Sequence, residues 1–224
     1  SGDDLQEILL IMFLLKTKKL VAVDFMIAEY KEKRKILRSW VVSDIIVSNP
    51  ASSAFEYSLN MNIHIERKAF HSLIGESLKN SLDNVVEIVE EMIKGGYFLG
   101  SYLSSILISK LGRSGKIDCA KKLFGLLPLD QKCTSSYTAM MCAHFRAGNN
   151  EAALEVFRTM KAHGVGPSLG TYNALLGGLK RGGMRVESPI FIKEKNNYIQ
   201  GANFLTPSQQ ICDLLFCNEV LPFK

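Results

Sequence analysis

Apolar residues fall on one helical face at i, i+3, i+4 and i+7, and the set returns every 33 to 35 residues. Ala153, Val156, Phe157 and Met160 form one such set. Ala120, Leu123, Phe124 and Leu127 precede it, and Val85, Ile88, Val89 and Met92 precede those. The spacing is that of an amphipathic helix. A further helix comes before each and repeats as well. Tyr172, Leu175, Leu176 and Leu179 align with Tyr137, Met140, Met141 and His144. They align in turn with Ser104, Leu107, Ile108 and Leu111, and with Phe70, Leu73, Ile74 and Ser77. Neither helix of such a pair can bury its apolar stripe alone. The pattern therefore predicts an all-α solenoid of antiparallel helix pairs, with a concave surface that binds a partner. The apolar stripes themselves are core.

Small residues punctuate the pattern. Ala120 and Ala153 permit close approach of the two helices of a pair. Gly115, Gly148 and Gly183 stand where each first helix needs a left-handed cap. Gly164 with Pro167 stops a second helix and sets the turn into the next copy.

The ends are less regular. Asp3 to Leu15 reads as a helix, and its apolar run Ile8 to Leu15 is too short to span a bilayer. Without a basic leader or a small-residue cleavage site, the run reads as a buried helix rather than a signal peptide. Lys19 to Ala28 is its expected partner. The charged run Lys31-Glu32-Lys33-Arg34-Lys35 reads as solvated. Leu37 to Val47 and Ala51 to Met61 read as a degenerate pair, with Pro50 opening the second helix and Trp40 in the core. After Gly183 the pattern changes. Ser188-Pro189 predicts a helix to about Ile199, and Thr206-Pro207 a short last helix to Leu215 or Phe216. The opening Ser1-Gly2, without Met, reads as a processed or truncated form in which a transit peptide would not be visible.

The segment from Thr171 to Gly183, Thr-Tyr-Asn-Ala-Leu-Leu-Gly-Gly-Leu-Lys-Arg-Gly-Gly, resembles the opening of a pentatricopeptide repeat (PPR). So does Ser136 to Gly148, and Asn149 to Pro167 resembles the remainder of that repeat. Ser104 to Leu127 is similar to another copy. The copy from Arg67 to Gly100 is degenerate, with Ser81 where Gly is usual. No first helix carries the Trp-Leu-Gly-Tyr constellation of a tetratricopeptide repeat. The resemblance implies a right-handed superhelix. Degenerate helix pairs would occupy 1–66, repeats 67–100, 101–133, 134–168 and 169 onward would follow to 183, and variant closing helices would occupy 184–224.

What the resemblance implies for function is sequence-biased binding of single-stranded RNA. In the family the residue after the Tyr-like position and the last residue of each repeat face a base. Here these are His71, Ser105, Thr138 and Asn173, with Gly100, Cys133 and Ser168 at the repeat ends. Lys68 and Tyr102 fall where residues flank the base, and Tyr102 is placed to stack. Family experience links Ser or Thr with purines and Asn with pyrimidines, so the copies at Ser101, Thr134 and Leu169 suggest purine-purine-pyrimidine. The repeat-final Asp or Asn that completes such a choice is missing, and His71 is an unusual reader. Length and general look resemble the short P-type proteins of plant organelles, including the thylakoid-assembly type that supports group II intron splicing. That likeness implies the chloroplast stroma, with the mitochondrion second.

Charge sharpens the picture. Lys79, Arg113, Arg146 and Arg181 occupy one register position in four successive copies. In a solenoid an equivalent position traces a line, and a line of cations suits a phosphate backbone. A cation in the last turn also answers the helix dipole, so both roles stand. The net charge of +5 favours a polyanion. The rival reading is a helical scaffold that holds a peptide, and dimerisation on RNA to lengthen a short surface remains an open expectation.

Catalytic signals are nearly absent, and the chain reads as no enzyme, with no cofactor and no metal. His64-Ile65-Glu66 has the form found in zinc deaminases but lacks the downstream Pro-Cys-x-x-Cys, since Cys212 and Cys217 are wrongly spaced. No carboxylate cluster or Gly-rich phosphate loop occurs. Five cysteines give no disulfide framework, and Cys119 and Cys142 read as reduced thiols within helices.

Overall fold

The computed structural model describes residues 2–183 and 188–201, with side chains over 5–183 and 191–199. Among the described residues the regular elements are all helices, joined by turns and short irregular segments. They form two compact units, Ser1–Phe98 and Leu99 onward.

The first unit holds α1 (Gly2–Lys16), α2 (Leu20–Glu32), α3 (Ser39–Ser48), α4 (Ala54–Asn60), α5 (Arg67–Lys79) and α6 (Val85–Lys94). The second holds α7 (Ser101–Arg113), α8 (Ile117–Leu126), α9 (Thr134–Arg146), α10 (Asn150–Ala162), α11 (Leu169–Arg181) and α12 (Ser188–Gly201). In each unit every even-numbered helix packs on the odd-numbered helix before it. The odd-numbered helices also stack on one another, α1 on α3 on α5, and α7 on α9 on α11. This is the predicted solenoid arrangement of first and second helices. The closing helix expected over 206–216 lies outside the described residues.

The repeating apolar positions are the core. Val85, Ile88, Val89 and Met92 are buried, as are Ala120, Leu123, Ala153, Phe157 and Met160. α9 lies between α7 and α11 and is buried from Ser136 through Phe145. Its stacking depends on size compensation. A Cβ at Gly112 would lie 2.5 Å from the Ala143 Cβ and 2.9 Å from its Cα. At the next junction a Cβ at Gly178 would lie 2.3 Å from the Phe145 ring. The α7–α9 junction thus sets small against small, and the α9–α11 junction sets a large ring against a glycine.

The caps explain why the N-terminal copies look degenerate. Gly115, Gly148 and Gly183 have φ of 73°, 75° and 72°, as the sequence predicts. In the first unit the left-handed position after α1, α2 and α4 is filled without glycine, by Lys18, Arg34 and Asn62, while α6 keeps a glycine there, Gly96. Lys35 N–H donates to the Tyr30 carbonyl at 3.0 Å around Arg34, just as Lys116 N–H donates to that of Leu111 at 2.9 Å around Gly115. A side chain in that region costs about 1 kcal/mol. Arg34 is exposed, so Arg34→Gly is expected to stabilise the protein by about 0.5–1 kcal/mol, read as a higher urea midpoint.

Three expectations for the first unit need correction. Trp40 is 39% exposed and not core, because α3 buries Val41, Val42, Ile45 and Ile46 instead. Pro50 does not open α4; it sits in a turn, and the helix starts at Ala54. Among its described side chains α1 buries Ile8 and Ile11, while Leu5, Leu9, Leu10 and Phe13 stay exposed. An unbroken apolar run covers all sides of a helix, and here α2 and α3 cover only part of α1.

Candidate nucleic-acid interface

The cation register is a consequence of helix length. α5, α7, α9 and α11 are each 13 residues long, and Lys79, Arg113, Arg146 and Arg181 are their last residues. Each charge therefore sits on exposed helix carbonyls, where it is favourable. In the second unit the three helices stack side by side, which brings the three arginines to the same end of one row. Burial holds the Arg146 guanidinium below its ordinary pKa, and the charges of Arg113 and Arg181 push the same way. Arg146 thus lies within electrostatic reach of both neighbours. Burial raises the Cys142 thiol, which the charges of Arg146 and Arg181 partly oppose. Arg113 is exposed and its guanidinium donates to the Ser109 Oγ at 3.2 Å. A cluster of three like charges is stabilised by an arriving anion. Lys79 closes α5 in the other unit and is exposed.

The residues expected to read bases fall into different environments. Ser105 is fully buried, and its hydroxyl donates to the Tyr102 carbonyl at 2.8 Å. Thr138 is 3% exposed; its Oγ1 donates to the Thr134 carbonyl at 2.8 Å and lies 2.8 Å from the Thr171 Oγ1. Ser168 caps α11, accepting from Thr171 N–H at 3.2 Å while the Thr171 hydroxyl accepts from Ser168 N–H at 3.1 Å. Ser168, Thr171 and Thr138 form one chain of hydroxyls that ties α11 to α9. Thr171 was not singled out from sequence, since the bond needs the neighbouring helix. Asn173 is half-buried, and the Lys195 ammonium donates to its Oδ1 at 2.8 Å. Gly100 and Cys133 precede α7 and α9, Gly100 exposed with φ of 79° and Cys133 half-buried. Tyr102 is 71% exposed on α7.

In the first unit His71 and Lys68 are both exposed on α5. Lys68 pairs with Asp44 at 2.6 Å and Glu66 at 3.2 Å, and these carboxylates raise its pKa. His64, of the dismissed His-x-Glu motif, stacks on Tyr97, with Nε2 3.2 Å from the tyrosine oxygen. Among the described residues no cluster of His, Cys, Asp and Glu could hold a metal ion. No helix there is long and apolar enough to cross a membrane.

Comparison with known proteins places this geometry. Residues 132–181 match the model of a PPR repeat family, and residues 103–128 match that of the PPR repeat. The pentatricopeptide repeat-containing protein At2g01390 of Arabidopsis thaliana is 40% identical over 220 residues, which is 93% of this chain and 38% of that protein. This chain therefore spans well under half the length of that relative. At2g01360, a pentatricopeptide repeat-containing protein of the same plant, is 38% identical over 168 residues, 74% of this chain and 91% of the relative. The crystal structure of the maize pentatricopeptide repeat protein PPR10 superposes with a TM-score of 0.51 at 19% identity, over 79% of this chain and 26% of that one. The helix pairs, their left-handed caps and the matched relatives agree: the chain belongs to the pentatricopeptide repeat family.

Proposed function

We propose that this protein binds single-stranded RNA and carries out no reaction on it. The observation that carries the reading is the row of Arg113, Arg146 and Arg181 at one end of the stacked first helices, each in reach of the next. A flexible phosphate backbone brings a matching line of anions to such a row, and releases counterions as it binds. The base-facing set is His71, Ser105, Thr138 and Asn173, with Gly100, Cys133 and Ser168 at the repeat ends and Lys68 and Tyr102 beside the bases. To read a base, Ser105 and Thr138 exchange bonds to their own helix for bonds to the base. That exchange is close to neutral in free energy, so binding energy comes mainly from phosphate contacts and from stacking on Tyr102.

The finer reading is a P-type organellar protein that supports RNA processing such as group II intron splicing. It would hold a short unpaired segment and so bias the RNA toward one fold. Relatives named as chloroplastic and mitochondrial support an organelle, and we place the chloroplast stroma first. A homodimer on RNA would double the footprint. One observation favours a protein scaffold instead: Leu5, Leu9 and Phe13 follow one another along one side of α1, all more than half exposed.

The test is selection from a random single-stranded RNA pool at two salt concentrations, with an Arg113→Ala/Arg146→Ala double variant alongside. The expected outcome is sequence enrichment by the native chain. The variant should bind roughly tenfold more weakly. Its salt slope should be shallower by about 0.7 for each arginine removed. No RNA binding at low salt would reject the reading and favour the scaffold.

A further inference from the structure

The side of α1 turned away from α2 and α3 carries apolar residues in contact with water. Leu5, Leu9, Leu10 and Phe13 are 59%, 60%, 49% and 58% exposed, whereas Ile8 and Ile11 are buried. Leu5, Leu9 and Phe13 follow at spacings of four, which is the row of side chains that most often packs one helix on another. The other first helices differ. Among the described residues α5, α9 and α11 expose no large apolar side chain.

The stripe is matched to itself. α1 runs from Gly2 to Lys16, and Leu9 is its central residue. Leu5 and Phe13 stand four residues to either side. An antiparallel pairing centred on Leu9 therefore sets Leu5 of each copy against Phe13 of the other, and Leu9 against Leu9. The charges agree with that sense. Asp3 and Asp4 stand in the first turn, and Lys16 ends the helix with Lys18 and Lys19 just beyond. The antiparallel pairing brings each acidic end to a basic end and opposes the two helix dipoles. A parallel pairing would set like charges together.

We infer that the exposed side of α1 is an interface with a second copy of this chain, in which two α1 helices pack antiparallel about a two-fold axis at Leu9. A two-fold interface uses the same patch on both copies, which this stripe satisfies. The four side chains leave on the order of 400 Å2 of apolar surface per copy, the size at which an exposed patch marks a contact. Apolar atoms make up about 65% of a homodimer interface, so two such faces correspond to about 1,200 Å2 in all, the lower edge of standard interfaces. A reversible dimer of micromolar affinity is expected. It needs no RNA, and it gives the homodimer proposed above a surface.

The test is sedimentation of the native chain without RNA, at concentrations on the order of 1 to 100 μM, which bracket micromolar affinity. The native chain should pass from monomer to dimer over that range. Leu9→Glu should weaken the dimer at least about 100-fold, because each copy loses a buried leucine and would bury a carboxylate instead. Its thermal midpoint in dilute solution should match that of the native chain, since Leu9 is exposed in the monomer. Under mild oxidation Leu9→Cys should link to itself, above the background of the native cysteines. Phe13→Cys should not link to itself but should link to Leu5→Cys in a mixture of the two. A native chain that stays monomeric throughout would overturn the inference, as would a dimer that Leu9→Glu leaves intact. Self-linking of Phe13→Cys would reject the antiparallel arrangement and the inference with it. None of these measurements involves RNA, so the RNA reading stands or falls separately.

Discussion

Replacing Gly112 by valine is expected to destabilise the second unit by about 3 kcal/mol, at the upper end of the range for overpacking. A Cβ there would approach the Ala143 Cα to 2.9 Å, so the obstacle is the backbone of α9 and not a side chain that can swing away. α9 has no room to retreat, because its residues from Ser136 to Phe145 are all buried. α7 must then lift off α9, and the largest helix–helix junction of the unit loses its packing. Urea denaturation should show a lower midpoint with an unchanged slope. Gly125 on α8 supplies the control: it is exposed, with nothing within 4 Å of the position a Cβ would take. Gly125→Ala should stabilise by about 0.5 kcal/mol through the unfolded chain's lost freedom. Equal midpoints for Gly112→Val and the native chain would mean that α7 and α9 do not approach as described.

That junction also marks the limit of what the chain discloses as a sequence. The helix pairs are legible because burial repeats with the solenoid period, so Tyr137, Leu175 or Val89 announces its own place. Gly112 with Ala143, and Phe145 with Gly178, are not legible that way. Each pair is a compensation of volumes between residues at different places in their repeats, and periodic alignment never sets them side by side. The caps at Lys18, Arg34 and Asn62 escape for another reason: the left-handed position is kept while the residue that signals it is not. The exposure of Trp40 escapes because hydrophobicity alone does not say which side of α3 meets a neighbour.

The site divides along the same line. Arg113, Arg146 and Arg181 were found from register alone, since a helix of constant length puts the same position at the same end. The partners of the residues proposed to face bases were not. Thr138 is engaged by Thr171 of the next helix, and Asn173 by Lys195 of a helix that departs from the repeat pattern. Under the proposed RNA reading, recognition would depend on contacts between repeats as much as on the residue at each reading position. A code read repeat by repeat would treat Ser105, Thr138 and Asn173 as independent, although the hydroxyl chain through Ser168, Thr171 and Thr138 couples the last two copies.

His144→Leu is expected to stabilise the second unit by about 1–2 kcal/mol at neutral pH, and by more in mild acid. His144 stands at the place held by Leu111 and Leu179 in the flanking copies, both fully buried. It is only 6% exposed, and its Nδ1 has no hydrogen-bond partner. A buried polar atom left unsatisfied costs about 1–3 kcal/mol, which leucine removes while keeping an apolar side chain of similar size. Burial lowers the His144 pKa below its ordinary value near 6.5, and Lys121 adds to the effect. The sign of the pH dependence follows. Below about pH 6.5 the unfolded chain takes up a proton on this imidazole while the folded chain stays neutral, so folding stability falls as pH falls. Above that pH both forms are neutral and the term vanishes. Urea midpoints of the native chain and the variant at pH 7.5 and 5.5 separate the two contributions. The gap at pH 7.5 reports the unsatisfied nitrogen, and its widening at pH 5.5 reports the proton. A gap that narrows in acid would mean that the folded protein protonates His144 more readily than the unfolded chain, against the burial that α9 imposes on it.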